Sequence, residues 1–279
     1  DTLAQFTPRI EVYSIDEAFL DFSGIERPGR SAADYGRLIR ATVRKWTGLP
    51  ISVGVGETKV IAKVAQRIAK KLPEGVLNLA GSPYIGDALV RTAIEDVWGI
   101  GRSHTRFLRS RGIENALQFR DAETGWVRKH MGVVGVRMVL ELRGISCLQL
   151  EMVRPAKKAI TVSRSFGKLV GTLEGMCEAV ALYAARAAEK LRREHLAAGA
   201  LMIFILTNRF RDEPQYSNSA TIELPVPTDS TDEITAYALR CLRGIYRKGF
   251  RFYKAGIILS GLVPANQVQT GLFDTVDRD

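Results

Sequence analysis

Two adjacent carboxylates, Asp16 and Glu17, lie in the apolar stretch Ser14-Ile15-Asp16-Glu17-Ala18-Phe19. Ahead of them runs Arg9-Ile10-Glu11-Val12-Tyr13, and behind them Phe19-Leu20-Asp21-Phe22. Both flanks are rich in β-branched or aromatic residues, so each predicts a strand and the acids fall at or near a hairpin tip. On a straight strand neighbouring side chains leave opposite faces, and two adjacent acids could not share an ion. A turn lifts that restriction. Carboxylates so placed suit Mg²⁺, which takes one or two protein oxygens and fills its octahedron with water and substrate phosphates. A solvated acidic turn has the same composition, and this segment alone favours that plainer reading.

Basic residues recur where a polyanion could be held. Lys63, Arg67, Lys70 and Lys71 share one side of a helix at three- and four-residue spacing, as either a solvated face or a triphosphate or backbone contact. Gly54-Val55-Gly56-Glu57-Thr58-Lys59 stands at a strand-to-helix junction but fails the Walker spacing, and a tight turn accounts for it. Val97-Trp98-Gly99-Ile100-Gly101-Arg102 precedes a helix carrying Arg102, Arg106 and Arg109. Two glycines one residue apart let main chain approach an anion, and the N–H groups opening the next helix can bind phosphate. This predicts a helix-hairpin-helix that grips a nucleic-acid backbone without reading sequence; a plain helix-helix turn is the competing account. Arg154, Lys157, Lys158, Arg164 and Lys168 form a further cluster suited to phosphates. His104, His130 and His195 lack metal-ligand spacing.

The elements that must position these groups follow from periodicity. After the hairpin, residues 34–46 and 58–72 predict helices, and Ile51 to Val55 and Gly75 to Leu79 strands. The order ββαβαβ predicts a small antiparallel or mixed sheet covered by helices. Residues 86–143 predict short helices and no strand. Beyond a polar, proline-containing stretch, strands at Ile160 to Phe166, Leu201 to Leu206, Ala220 to Leu224 and Ala255 to Leu259 alternate with helices at Glu174 to His195 and Glu233 to Lys248. That is the βαββαβ ferredoxin-like pattern. The 279 residues exceed one ordinary domain, and a formal charge of +10 favours nucleic acid over a membrane, for which no apolar run is long enough. Cys147, Cys177 and Cys241 are scattered and odd in number, as expected of reduced thiols in a cytosolic protein. The chain opens on Asp1 directly before a strand and reads as a fragment lacking an N-terminal part.

Taken together these stretches resemble the Y-family translesion DNA polymerases, most closely their UmuC-like branch. The carrying residues are Tyr13 to Phe19, Ser52 to Gly56 with Thr58-Lys59, Asp96 to Gly101, Ser163-Arg164-Ser165-Phe166-Gly167, and Tyr183 to Arg192. The resemblance implies an α+β, multidomain chain: a partial palm over 1–80, an all-α helix-hairpin-helix thumb over 81–150, a linker over 151–158, a ferredoxin-like little finger over 159–262 and a tail over 263–279. It implies that Asp16 and Glu17 bind two Mg²⁺ ions with the dNTP, that Lys70 meets the triphosphate, and that Gly99, Gly101, Arg102, Arg106, Arg164, Ser165 and Phe166 contact primer-template DNA. The family's first catalytic Asp, steric gate and fingers lie upstream of the matching motif, so the fragment alone is expected to bind DNA but polymerise poorly.

Gln269-Thr270-Gly271-Leu272-Phe273 resembles a sliding-clamp pentapeptide through Gln269, Leu272 and Phe273. By the same resemblance a UmuD′-type dimer and a RecA filament are partners, the cell compartment is the bacterial cytoplasm at the nucleoid, and the setting is the SOS response. Two other readings remain: a non-catalytic DNA-binding protein that keeps the basic surfaces, and an RNA binder on the ferredoxin-like unit. The second lacks the stacking aromatics of an RNA-recognition motif.

Overall fold

The computed structural model describes residues 2–24, 31–153 and 156–269, and its contacts divide the chain into Asp1–Arg154 and Pro155–Asp279. In the first unit β1 (Ile10–Val12) and β2 (Ala18–Leu20) pair antiparallel, with Glu11 opposite Phe19. Helix α1 (Ala32–Thr47) begins at a capping box between Ser31 and Asp34 and stops at Gly48 in the left-handed region. The next elements, β3 (Val53–Val55), α2 (Lys59–Ala69) and β4 (Val76–Asn78), form a βαβ unit with β3 and β4 parallel. The order ββαβαβ is the expected one, but the strands pair as two separate two-stranded ladders rather than one sheet.

The glycines of Gly54-Val55-Gly56 serve packing rather than a tight turn. A Cβ on Gly54 would stand 2.1 Å from the Gln66 nitrogen, and one on Gly56 2.5 Å from that of Ala62, so α2 lies directly on β3. Thr58 caps α2 by accepting from the Ile61 N–H. The remaining helices are α3 (Ile85–Val90), α4 (Arg102–Arg109), α5 (Ala116–Asp121) and α6 (Thr124–Leu142), the last broken at Gly132 with φ 65°. Val60, Ile61 and Val64 of α2 share one core with Leu89, Leu108, Phe119, Val127, Val139 and Leu142 of these helices. Burying such side chains stabilises by about 1.5–3 kcal/mol each and fixes α2 against them.

The second unit runs β5 (Ala159–Val170), α7 (Leu173–Arg193), β6 (Leu196–Leu206), β7 (Ser217–Thr228), α8 (Thr231–Ile245) and β8 (Phe252–Pro264). Its sheet is antiparallel throughout the neighbouring pairs, in the order β5-β8-β6-β7, so each βαβ crossover leaves one strand between its ends. Ile160, Val162, Leu201, Ile203, Ile205, Ile257 and Leu259 form one core with α7 and α8. Alternation then sends Thr161, Ser163, Met202, Phe204, Ser219, Thr221 and Ile258 to the face without helices.

All four strands of this sheet extend beyond their predicted ends, β5 by running on to Val170. Strand β6 begins five residues early, through Leu196-Ala197-Ala198-Gly199-Ala200, whose low strand propensity hid it; a central position overrides that propensity, and Gly199 packs on Gly261. Strand β7 continues through Pro225 and Pro227, which an edge strand tolerates. Strand β8 likewise runs on to Pro264.

Candidate active site and nucleic-acid interface

The turn joining β1 to β2 is closed by main chain: the Tyr13 and Ser14 N–H groups both donate to the Glu17 carbonyl, at 3.0 and 3.1 Å. Asp16 and Glu17 therefore stand on a turn and not on a straight strand. Ser14 Oγ donates to Asp16 Oδ1 at 2.7 Å, which orients that carboxylate while leaving it exposed. Below the turn, Arg9 pairs with Asp21 at 2.7 Å, and the Ser23 N–H donates to the Asp21 carboxylate at 2.7 Å. Burial pushes the Asp21 acid up, but the Ser23 hydrogen bonds and the Arg9 guanidinium outweigh it and hold it below the usual carboxylate range.

Helix α2 supplies the electrostatics. Lys59, Lys63 and Arg67 follow one another at four-residue spacing, and each meets a different acid. Lys59 pairs with Glu11 at the base of the hairpin and donates to the Gln149 carbonyl at 2.7 Å, while Glu11 also accepts from the Glu151 N–H at 2.8 Å. Lys63 donates to Glu17 Oε1 at 2.5 Å. Arg67 pairs with Asp96, just ahead of the glycine hairpin. Tyr13, Phe19 and Trp98 meet edge-to-face with centroids 5.4–5.8 Å apart, adding apolar contact between the two hairpins. Lys70 and Lys71 continue past the helix end, exposed and without an acid partner among the described residues.

The spacing of Lys63, Arg67, Lys70 and Lys71 predicts one basic face, and the structure separates them into two paired cations and two without an acid partner among the described residues. Glu11 and Lys59 are partners that this spacing does not announce. The signal was present in the regular spacing of Lys59, Lys63 and Arg67, but their acids lie 29 to 48 positions away in sequence.

Among the described residues, no group of three His, Cys, Asp or Glu side chains converges as a closed metal site. The donor set still fits Mg²⁺: two hard oxygen ligands on an accessible turn, with a lysine ammonium already resting on one of them where a cation would go.

At the second hairpin Gly99 adopts φ 93°, and its hypothetical Cβ would stand 2.6 Å from Met138 Sδ. Gly101 is the N-cap of α4, has open space at its Cβ position and offers no side-chain cap, so the first N–H groups of α4 face outward unsatisfied by a capping side chain. Arg102 and Arg106 are exposed and unpaired with acids among the described residues, whereas Arg109 Nη2 donates to both carboxylate oxygens of Glu95 at 2.6 and 2.8 Å. His130 stacks within a Trp126–Phe107 group and carries no ligand geometry. Burial pushes the Cys241 thiol up, which keeps it inert.

In the second unit, Arg164 and Ser165 leave opposite faces of β5. Arg164 is opposite Ala255 on the helix side, where its charge acts on Tyr183, and Ser165 is opposite Lys254 on the open side. Phe166 is half-buried against the core. Gln269 is exposed, and Leu272 and Phe273 lie outside the described residues. No helix among the described residues is long and apolar enough to cross a membrane.

Comparison with known proteins accounts for this arrangement. Residues 1–67 match the model of the impB/mucB/samB family, and residues 157–272 match the model of that family's C-terminal domain. The chain is 44% identical to protein UmuC of Salmonella typhimurium over 98% of its length, covering 65% of that protein. It is 40% identical to protein ImpB of Salmonella typhimurium, covering 66% of it, and 28% identical to a DNA polymerase IV of Desulfatibacillum aliphaticivorans, also covering 66%. Thus it spans about two thirds of the length of these relatives. A chimeric Y-family DNA polymerase shares the fold with a TM-score of 0.67 at 20% identity, over 94% of this chain and 73% of that one.

Proposed function

We propose that this chain, which belongs to the impB/mucB/samB family of UmuC-like Y-family proteins, is the larger part of a translesion DNA polymerase that extends a primer opposite damaged template. In this reading residues 1–80 are palm, 81–150 thumb, 151–158 linker, 159–262 little finger and 263–279 a tail. The activity belongs to a polypeptide of the relatives' full length. The observation that carries the proposal is the Asp16–Glu17 pair on an accessible turn, in a chain so similar to UmuC.

Asp16 and Glu17 would hold two Mg²⁺ ions together with the dNTP. When bound, the metal lowers the pKa of the primer 3′-hydroxyl and neutralises charge on the transferred phosphoryl group. The chain's own residues do the rest. Ser14 keeps the Asp16 carboxylate facing outward, and the Lys59–Glu11 pair fixes the base of the hairpin. Lys70, free of any acid among the described residues, is available to the triphosphate. Gly99 and Gly101 let main chain approach the primer-template backbone, and Arg102 and Arg106 neutralise its phosphates.

On the little finger, Ser165, Lys254 and the hydroxyls of Thr161, Ser163, Ser219 and Thr221 offer sequence-independent contacts, with Arg164 and Phe166 at the sheet edge. Contacts of that kind position without reading bases, which is what tolerance of a damaged template requires. Gln269, Leu272 and Phe273 would engage the sliding clamp. A UmuD′-type dimer, a RecA filament, the SOS response and the bacterial cytoplasm complete the setting by kinship.

The test is primer extension by the full-length polypeptide. Asp16→Asn and Glu17→Gln each lower extension at least about a hundredfold, roughly 3 kcal/mol of lost transition-state stabilisation. Primer-template affinity is retained in both variants. Extension that survives either change removes the metal assignment. An unsubstituted full-length protein that binds primer-template and never extends it, with its partners present, supports the non-catalytic reading instead.

A further inference from the structure

We propose that Lys63 is a resident counter-ion of the metal site, a positioning residue whose ammonium holds Glu17 until a divalent cation displaces it. The inference rests on the reading of Asp16 and Glu17 as metal ligands. Its consequence is an order of events: the site takes a bare divalent ion weakly, and takes it well when an anionic polyphosphate arrives to receive the released ammonium.

Three observations carry it. The first is the contact itself, Lys63 Nζ to Glu17 Oε1 at 2.5 Å, which places one positive charge on one of the two ligands. Asp16, Glu17 and Lys63 then sum to a single negative charge, a poor lure for a hydrated divalent ion.

The second is that Lys63 is held in register from both sides. One turn before it Lys59 is tied to Glu11, and one turn after it Arg67 is tied to Asp96. Both flanking cations are occupied, so neither can take Glu17 in its place. The clasp at Glu11 is nearly buried, its two side chains 10% and 7% exposed, whereas Lys63 and Glu17 are 19% and 36% exposed. Water reaches the Lys63–Glu17 contact more readily, which makes it the weaker of the two.

The third is a destination for the released charge. Lys70, the C-cap of the same helix, stands about two turns beyond Lys63, exposed and free of acids among the described residues. A polyphosphate meeting Lys70 would pass within reach of a Lys63 side chain that has left Glu17. An ammonium so exchanged offsets one of the two positive charges the metal brings, so the site passes from one net negative charge to neutral, and the hairpin need not move.

The experiment is a titration of this chain with Mn²⁺ alone, free ion being followed by its electron paramagnetic resonance signal. Lys63→Met keeps the aliphatic stem and removes the charge, and is expected to tighten Mn²⁺ binding at least about tenfold, since a neighbouring like charge at this range is worth that or more. Lys63→Arg keeps the charge and is expected to bind as the unsubstituted chain does. Lys63→Met that binds no more tightly overturns the proposal.

Asp16→Asn and Glu17→Gln separate this from the function itself. Should neither alter Mn²⁺ binding, the metal reading fails; should both abolish it while Lys63→Met gains nothing, only the role of Lys63 fails. A second measurement needs no substitution. In reductively ¹³C-methylated protein the Lys63 resonance is expected to move on saturation with Mg²⁺, and a resonance that stays in place overturns the proposal as surely.

Discussion

Glu141 is fully buried, yet all of its polar groups are answered. Oε1 accepts from the Cys147 and Leu148 N–H groups at 2.6 and 3.0 Å, Oε2 accepts from the Val60 N–H at 3.3 Å, and the Glu141 carbonyl accepts from Thr58 Oγ1 at 2.8 Å. Val60 lies in the first turn of α2, where main-chain N–H groups lack helical partners and a carboxylate is favoured by the helix dipole. Glu141 thus anchors the start of the helix that carries Lys59, Lys63 and Arg67. Removing it strands three donors together, that of Val60 buried and those of Cys147 and Leu148 partly buried. Glu141→Ala should cost about 3–5 kcal/mol, the range seen when one member of a buried polar set is deleted. A thermal unfolding midpoint unchanged from the parent would show that water replaces the carboxylate. Sequence reading could not have found this residue: a glutamate within an otherwise apolar helical stretch looks like any exposed position until the fold brings Thr58 to it from 83 residues away.

The two hairpins of the first unit make different demands on their glycines. Gly99 needs its residue type for folding, because φ of 93° strains any side chain and a Cβ would meet Met138 Sδ at 2.6 Å. Gly101 has an ordinary φ of −86° and open space at its Cβ position. Gly99→Ala is therefore expected to destabilise by about 1–3 kcal/mol. Gly101→Ala should leave the melting midpoint nearly unchanged and still weaken primer-template binding severalfold, because its methyl occupies the path along which a phosphate would approach the N–H groups of α4. Equal affinity of Gly101→Ala and parent would remove this hairpin from the DNA-contacting surface. The glycine pair and the acidic hairpin were legible as turns because each is a short motif whose geometry is local. The pairing of α2 with Glu11, Glu17 and Asp96 was not, since it joins segments far apart in sequence. Strand β6 was half legible: Leu201 to Leu206 announces itself, while Leu196 to Ala200 is a strand only because β7 and β8 bond to it on either side.

Across the whole chain the charge of +10 is unevenly available. Many cations are already balanced: Lys59, Lys63, Arg67 and Arg109 in the first unit, Lys157, Arg193 and Arg251 in the second, each have an acid in contact. A cation paired within the protein displaces few counterions from DNA, while a free one at a phosphate releases about 0.9 of an ion and steepens the salt dependence accordingly. On the proposed function, net charge therefore overstates the DNA footprint, and the cations without an acid partner among the described residues define it. Arg102→Gln with Arg106→Gln should lower the slope of log affinity against log salt by about 1.8, and should do so equally for primer-templates of any sequence. Glu95→Gln with Arg109→Gln removes an equal number of charged groups from the same helix region but no net charge, and should leave the slope unaltered. Binding isotherms from 50 to about 200 mM salt resolve a difference of that size. Slopes that fall alike in both double variants would mean that pairing in the free protein does not decide which cations meet DNA, and the division of the basic surface into occupied and available charges would lose its meaning.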